Sequence, residues 1–169
     1  PMPPHRLPSR PMRTLSLLLF AAACTQTPPG SDGARAYVTT VEPLVYENGL
    51  LARSLLEVAA EVHDGDASST VLTRWWSAEA VPLSLHLAHQ ASAVSPPADW
   101  AERHRELVSI WEDRAGAYQS LDQALADGDT AAWTAGRAAA DSAKIREEEW
   151  FRSADEALAP FGLALDQYP

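Results

Sequence analysis

Apolar side chains return every three or four residues along most of this chain, and that spacing restricts its fold more than any other feature. Tyr37, Val41, Leu44, Asn48, Leu51, Leu55, Val58 and Val62 alternate in steps of four and three. At about 3.6 residues per turn they share one face of a long helix. Asn48 is the polar member of that face. Pro43 lies inside the pattern and leaves two readings open: a helix that begins near Thr40 with the proline in its first turn, or one that begins near Ala34 and kinks. His63-Asp64-Gly65-Asp66 ends the segment.

Three more segments carry the same period. Leu72, Trp76, Ala80, Leu83, Leu87 and Ala91 form a second stripe, in which Pro82 implies a kink or a break. Residues 81–87 also alternate as a strand would, but no other part of the chain supplies a pairing partner, and an isolated strand leaves its backbone groups unpaired. Ser95-Pro96-Pro97 opens a third helix, with Trp100, His104, Leu107, Trp111, Tyr118, Leu121 and Leu125 along its inner face. Asp129, after the turn at Gly128, caps a fourth, whose stripe is Trp133, Gly136, Ala140, Ala143, Glu147, Trp150, Ala154, Ala157 and Phe161. The small residues in its first half let a neighbouring helix come close. Four amphipathic helices joined by short turns predict an all-α fold, an antiparallel up-down-up-down four-helix bundle over residues 34–169. Its stripes suffice for one core and leave no extra apolar face, so the domain is expected to be monomeric. The six tryptophans are expected to serve packing.

Ahead of this domain the chain changes character. Met12-Arg13 precedes Leu15-Ser16-Leu17-Leu18-Leu19-Phe20-Ala21-Ala22-Ala23, a positive start, a short apolar run and small residues at its end. That is the layout of a secretory signal peptide, too short to span a bilayer. Residues 1–11 are rich in proline and arginine, so Met12 is expected to be the true start of a leader that ends at residue 23. The box Ala21-Ala22-Ala23-Cys24 resembles that of the bacterial lipoprotein family, with alanine where leucine is usual three places before the cysteine. The resemblance implies a diacylglycerol on Cys24, attachment to a membrane and a place in the cell envelope. Thr25 after the cysteine implies the outer membrane if the cell is Gram-negative. Ala21-x-Ala23 also fits ordinary signal peptidase cleavage, which would give a soluble secreted protein. Residues 24–33 are polar and rich in proline and glycine, and are expected to be a flexible tether.

Composition narrows the partners. All 23 acidic residues follow Cys24, against ten of the 13 basic ones, so the part after the cysteine carries a formal charge of −13. Such an excess disfavours nucleic acid, whose phosphates select for Lys and Arg. A lone cysteine excludes an intramolecular disulfide and a thiolate zinc cluster. Gly-rich phosphate loops, His-Glu-x-x-His, Gly-x-Ser-x-Gly, Cys-x-x-Cys-His and Glu-x-x-His are all missing, and both methionines lie in the leader. No pattern asks for an enzyme. The reading that remains is a membrane-tethered binding or scaffolding module whose partner is another envelope protein.

The alternative is a site inside the bundle. His86 lies ten residues before Pro96 and His104 eight after it, which puts them at similar heights. Counting from Gly128 sets Arg152 opposite His104, with Glu148 a turn away. Counting from Gly65 sets Leu44 opposite His86, with Asn48 a turn away. His86, His104 and Glu147 or Glu148 are thus candidate ligands for a divalent transition metal, with Asn48 and His89 as further candidates for binding a small polar ligand. The plainer expectation for the same residues is a buried polar layer satisfied by its own members.

Overall fold

The computed structural model describes residues 30–64 and 69–165; Cys24, the leader and residues 24–29 of the expected tether lie outside them. Among the described residues the chain is all-helical, with no strand. Its helices are α1 (Ser31–Asp64), α2 (Ser69–Trp75), α3 (Val81–Ala93), α4 (Ala101–Asp127) and α5 (Thr130–Leu158). A π-helical turn, Trp76–Ala80, joins α2 to α3, and Trp75, Ala80 and Val81 all keep right-handed helical dihedrals. These three pieces therefore run on as one rod, which leaves four rods in the bundle. Residues 81–87, which alternate like a strand but are expected to be helical, are part of α3.

Cross-links between the rods fix their directions. Near one end, His104 of α4 meets Tyr37 of α1 and Ala91 of α3, while Trp150 of α5 donates to the Arg103 carbonyl. Midway, Asn48, Trp111 and Arg114 converge on Glu147. Towards the other end Trp75 reaches Ser54 and Trp76 the Tyr118 carbonyl, and Gly136 abuts Leu121. Numbers rise along α1 and α4 and fall along the second rod and α5. Neighbouring rods are therefore antiparallel, in the up-down-up-down order that the four stripes predict.

Both prolines inside helices are accommodated without ending them. Pro43 sits within α1, which starts at Ser31, so of the two expected starts the earlier one is the nearer, and the first three helical residues come from the segment expected to be tether. Ser31 is buried and Gly33 half-buried, and a Cβ on Gly33 would lie 3.8 Å from Pro97, so this first turn packs on the bundle although Gly30 and Asp32 are exposed. Pro82 falls in the first turn of α3, directly after the π-helical turn, where Val81 N–H bonds to the Trp76 carbonyl five residues back. A proline cannot donate to the carbonyl four residues before it, and a widened turn next to it is one way a helix absorbs that loss. Between α4 and α5, Gly128 takes the left-handed conformation at φ 67°, which an L side chain would resist, and Asp129 accepts from the Ala131 and Ala132 amides at 2.9 Å each.

One core runs through the bundle, with Tyr37, Leu87, Leu107, Ile110, Trp111, Leu121 and Leu158 among its most deeply buried members. Five tryptophans are buried and Trp133 is half-buried, as packing residues should be. Four of the indoles find an acceptor for Nε1–H, which removes the penalty of burying that donor. Trp111 has no solvent exposure. Trp111→Ala is therefore expected to destabilise the bundle by about 3 to 5 kcal/mol in urea unfolding, and a loss below about 1 kcal/mol would show that the stripe is misphased.

Candidate functional site

The chemistry inside the bundle is divided between two levels that lie about two helical turns apart on α4. Trp111 and Arg114 occupy the middle of that helix and face α5, where Glu147 interrupts a row otherwise made of Ala143, Trp150 and Ala154. Glu147 Oε1 accepts from Trp111 Nε1 at 2.6 Å, Arg114 Nη1 at 2.9 Å and Asn48 Nδ2 at 3.1 Å. Its Oε2 accepts from the same Arg114 nitrogen at 3.1 Å. The side chains of Arg114 and Glu147 are 7% and 13% exposed, so water screens the pair weakly. The guanidinium also lies 5.7 Å from the Trp111 ring centroid, within cation–π range.

This layer gathers α1, α4 and α5 around one carboxylate. Its electrostatics reach Tyr118, one turn further along α4, whose hydroxyl pKa is raised mainly by burial and also by Glu147 and Asp141, against an opposing pull from Arg114. A buried ion pair of this kind repays its desolvation only when hydrogen bonds fill the remaining lone pairs. Glu147 meets that condition. Asn48 Oδ1 and the Nε and Nη2 of Arg114 are buried without a hydrogen-bonding partner among the described residues.

The second level lies at the end where α1 begins. His104 Nε2 is 2.9 Å from the Ala91 carbonyl, which can only accept, so Nε2 carries the proton. Nδ1 is then the acceptor for the Tyr37 hydroxyl at 3.2 Å. Tyr37 in turn stacks on Trp100, with ring centroids 4.6 Å apart. Burial holds His104 below its ordinary pKa, partly offset by the Ala91 carbonyl. Burial raises the Tyr37 hydroxyl above its own ordinary value, opposed by the Arg103 charge.

The metal set expected from the sequence is not assembled by this geometry. His86 and His89 are exposed on α3, and Glu148 is exposed on α5 beside Lys144 at 3.7 Å. His104 is buried with both ring nitrogens already engaged, and Glu147 belongs to the other level. Ala91, not His86, shares the height of His104, because the extended residues 94–97 and the short turn Ala98–Trp100 lengthen the connection between α3 and α4. Among the described residues no group of three or more His, Cys, Asp and Glu side chains gathers where a metal ion could sit. Asn48 and Glu147 are brought together, whereas counting from the turns sets Glu148 at the height of Asn48. Arg114 is the member that sequence reasoning missed. Its signal was present, three residues after Trp111 and seven after Leu107 on the same stripe, but a charge on an apolar face reads as an outlier until an opposite charge is placed across from it.

Two expectations follow. Glu147→Leu strands the Arg114 charge and is expected to cost about 3 to 5 kcal/mol, whereas Arg114→Met with Glu147→Leu costs much less than the two single changes added together. Additive losses in urea unfolding would contradict the pairing. Because folding depresses the His104 pKa, the unfolded chain binds more protons below pH 6.5, and stability is lost as pH falls from there toward the folded value. Tyr37 and Tyr118 act oppositely, since folding raises their pKa values and the stability they carry is lost as pH rises above 10. Unfolding midpoints in wild type and His104→Gln between pH 7.5 and 5 test the acid limb, which is expected to be shallower in the variant.

No family model, no curated protein and no solved structure matches the chain, so its function has to be argued from its own residues.

Proposed function

We propose that the chain is a lipid-anchored module of the bacterial cell envelope whose outer surface, not its interior, binds another envelope protein. The observation that carries this reading is that the carboxylate and the imidazole of the two interior levels are already engaged by the protein itself: Glu147 by Asn48, Trp111 and Arg114, and His104 by Tyr37 and Ala91. Side chains that stabilise one another in this way serve the scaffold. Recognition then falls to the surface, which in the part after Cys24 is strongly acidic and suits a basic partner in preference to a phosphate backbone.

Attachment rests on the leader and on the small-residue box ending at Cys24. One acyl chain holds a protein to a bilayer only marginally, whereas the several chains of a bacterial lipoprotein anchor it stably. Residues 24–29 would then link the lipid to the start of α1 at Ser31.

Cys24→Ala is expected to move the protein out of the membrane fraction or to leave it as an unprocessed precursor, with the bundle still folded by circular dichroism. Mass spectrometry of the mature wild-type protein should find diacylglycerol on Cys24. An unmodified Cys24 thiol, or a mature chain that begins beyond Cys24, would contradict the anchor. Crosslinking from exposed positions in intact cells tests the second half, and the partner captured should be an envelope protein with a basic contact surface.

A further inference from the structure

The polar groups that the central layer leaves over have a chemistry of their own. Arg114 is 6% exposed and Asn48 8%, yet Arg114 Nε, Arg114 Nη2 and Asn48 Oδ1 have no hydrogen-bonding partner among the described residues. The orientation of the Asn48 amide is fixed by Glu147, because the nitrogen and not the oxygen must face a carboxylate. The guanidinium spends one nitrogen, Nη1, on both oxygens of Glu147. Its Nε–Nη2 edge, the side that usually receives a paired acceptor, is left open. Asn48 Nδ2 and Arg114 Nη1 bond to the same carboxylate oxygen, so these two side chains lie within two hydrogen-bond lengths of each other.

We infer that the layer binds a neutral oxygen ligand, an internal water, between Asn48 and Arg114. Only a group that accepts from the guanidinium and also donates to the amide oxygen satisfies both sides. A fully deprotonated oxyanion could accept but could not donate, and any oxyanion would add a second negative charge where Glu147 already neutralises Arg114. A metal cation or an ammonium could not accept from Arg114 at all. Water does both, and buried waters settle where two to four otherwise unpaired polar groups converge. One water, or two in sequence, would bridge them. The ligand would sit beside Glu147, at the level where side chains of α1, α4 and α5 converge. This inference does not depend on the lipid anchor, and its test is indifferent to whether Cys24 is modified.

Crystals of the full chain that diffract far enough to place solvent should show an isolated peak within about 2.7 to 3.2 Å of Asn48 Oδ1 and of Arg114 Nε or Nη2, directly or through a second peak. In solution, oxygen-17 relaxation dispersion should count at least one long-lived water in wild type and one fewer in Asn48→Leu. Should that variant fail to fold, the wild-type count decides alone. A wild-type count of zero, a crystal in which these three atoms pair with protein groups, or planar or tetrahedral density of an anion at the site would each overturn the inference.

Discussion

Glu147 takes a negative charge into a row of alanines and tryptophans, and the bundle is arranged to make that tolerable. A buried carboxylate without partners would be protonated or would prevent folding, since the desolvation penalty amounts to several kcal/mol per ion. Here three nitrogens from two other helices reach it. Each of those donors is itself placed by packing: Trp111 by the core, Asn48 by the face that runs from Tyr37 to Leu51, Arg114 by its position one turn beyond Trp111. A slide of any of these helices by one turn would separate donor from acceptor. The layer therefore selects one register among several that apolar stripes alone would accept, as a single buried polar residue does in many helical assemblies.

Other features work in the same direction. Gly136 brings α5 onto α4 so closely that a Cβ there would lie 3.0 Å from Leu121. That close approach holds the far end of α4 and α5 together, while the Arg103 carbonyl and Trp150 hold the near end. The first turns of α1 are secured by a different device, the Tyr37 and His104 pair, with Trp100 stacked beneath. The molecule thus has a polar lock in its middle and a neutral, pH-limited one at the end nearest the expected anchor.

Helix number, helix faces and rod directions were legible in the spacing of apolar residues, because burial on one face of a helix is a one-dimensional property that survives in sequence. The capping role of Asp129 was legible for the same reason. The start of α1 was not, since a Ser-Asp-Gly run reads as coil and only the tertiary fold buries Ser31 and sets Gly33 near Pro97. The π-helical turn at Trp76–Ala80 was likewise invisible beyond the hint that Pro82 had to be absorbed. The candidate metal set failed on height and direction together. Counting outward from the turns set Asn48 level with Glu148, one residue from its partner Glu147, which the apolar stripe alone singled out. It also set His86 level with His104 by treating the connection after α3 as a tight turn, and it could not see that His86 is exposed. Arg114 was passed over because charge and an apolar stripe look contradictory until the opposite helix is in place.

The exchange rate of the Trp111 indole N–H tests the central role of this layer most directly. If the Glu147 cluster fixes the helices in register, that proton, bonded to Oε1 at 2.6 Å, exchanges only when the whole bundle unfolds, with the same free energy as the slowest amides of α4. Exchange at a rate typical of a partly opened or solvated indole, while those amides stay protected, would show that the layer opens independently and does not hold the fold.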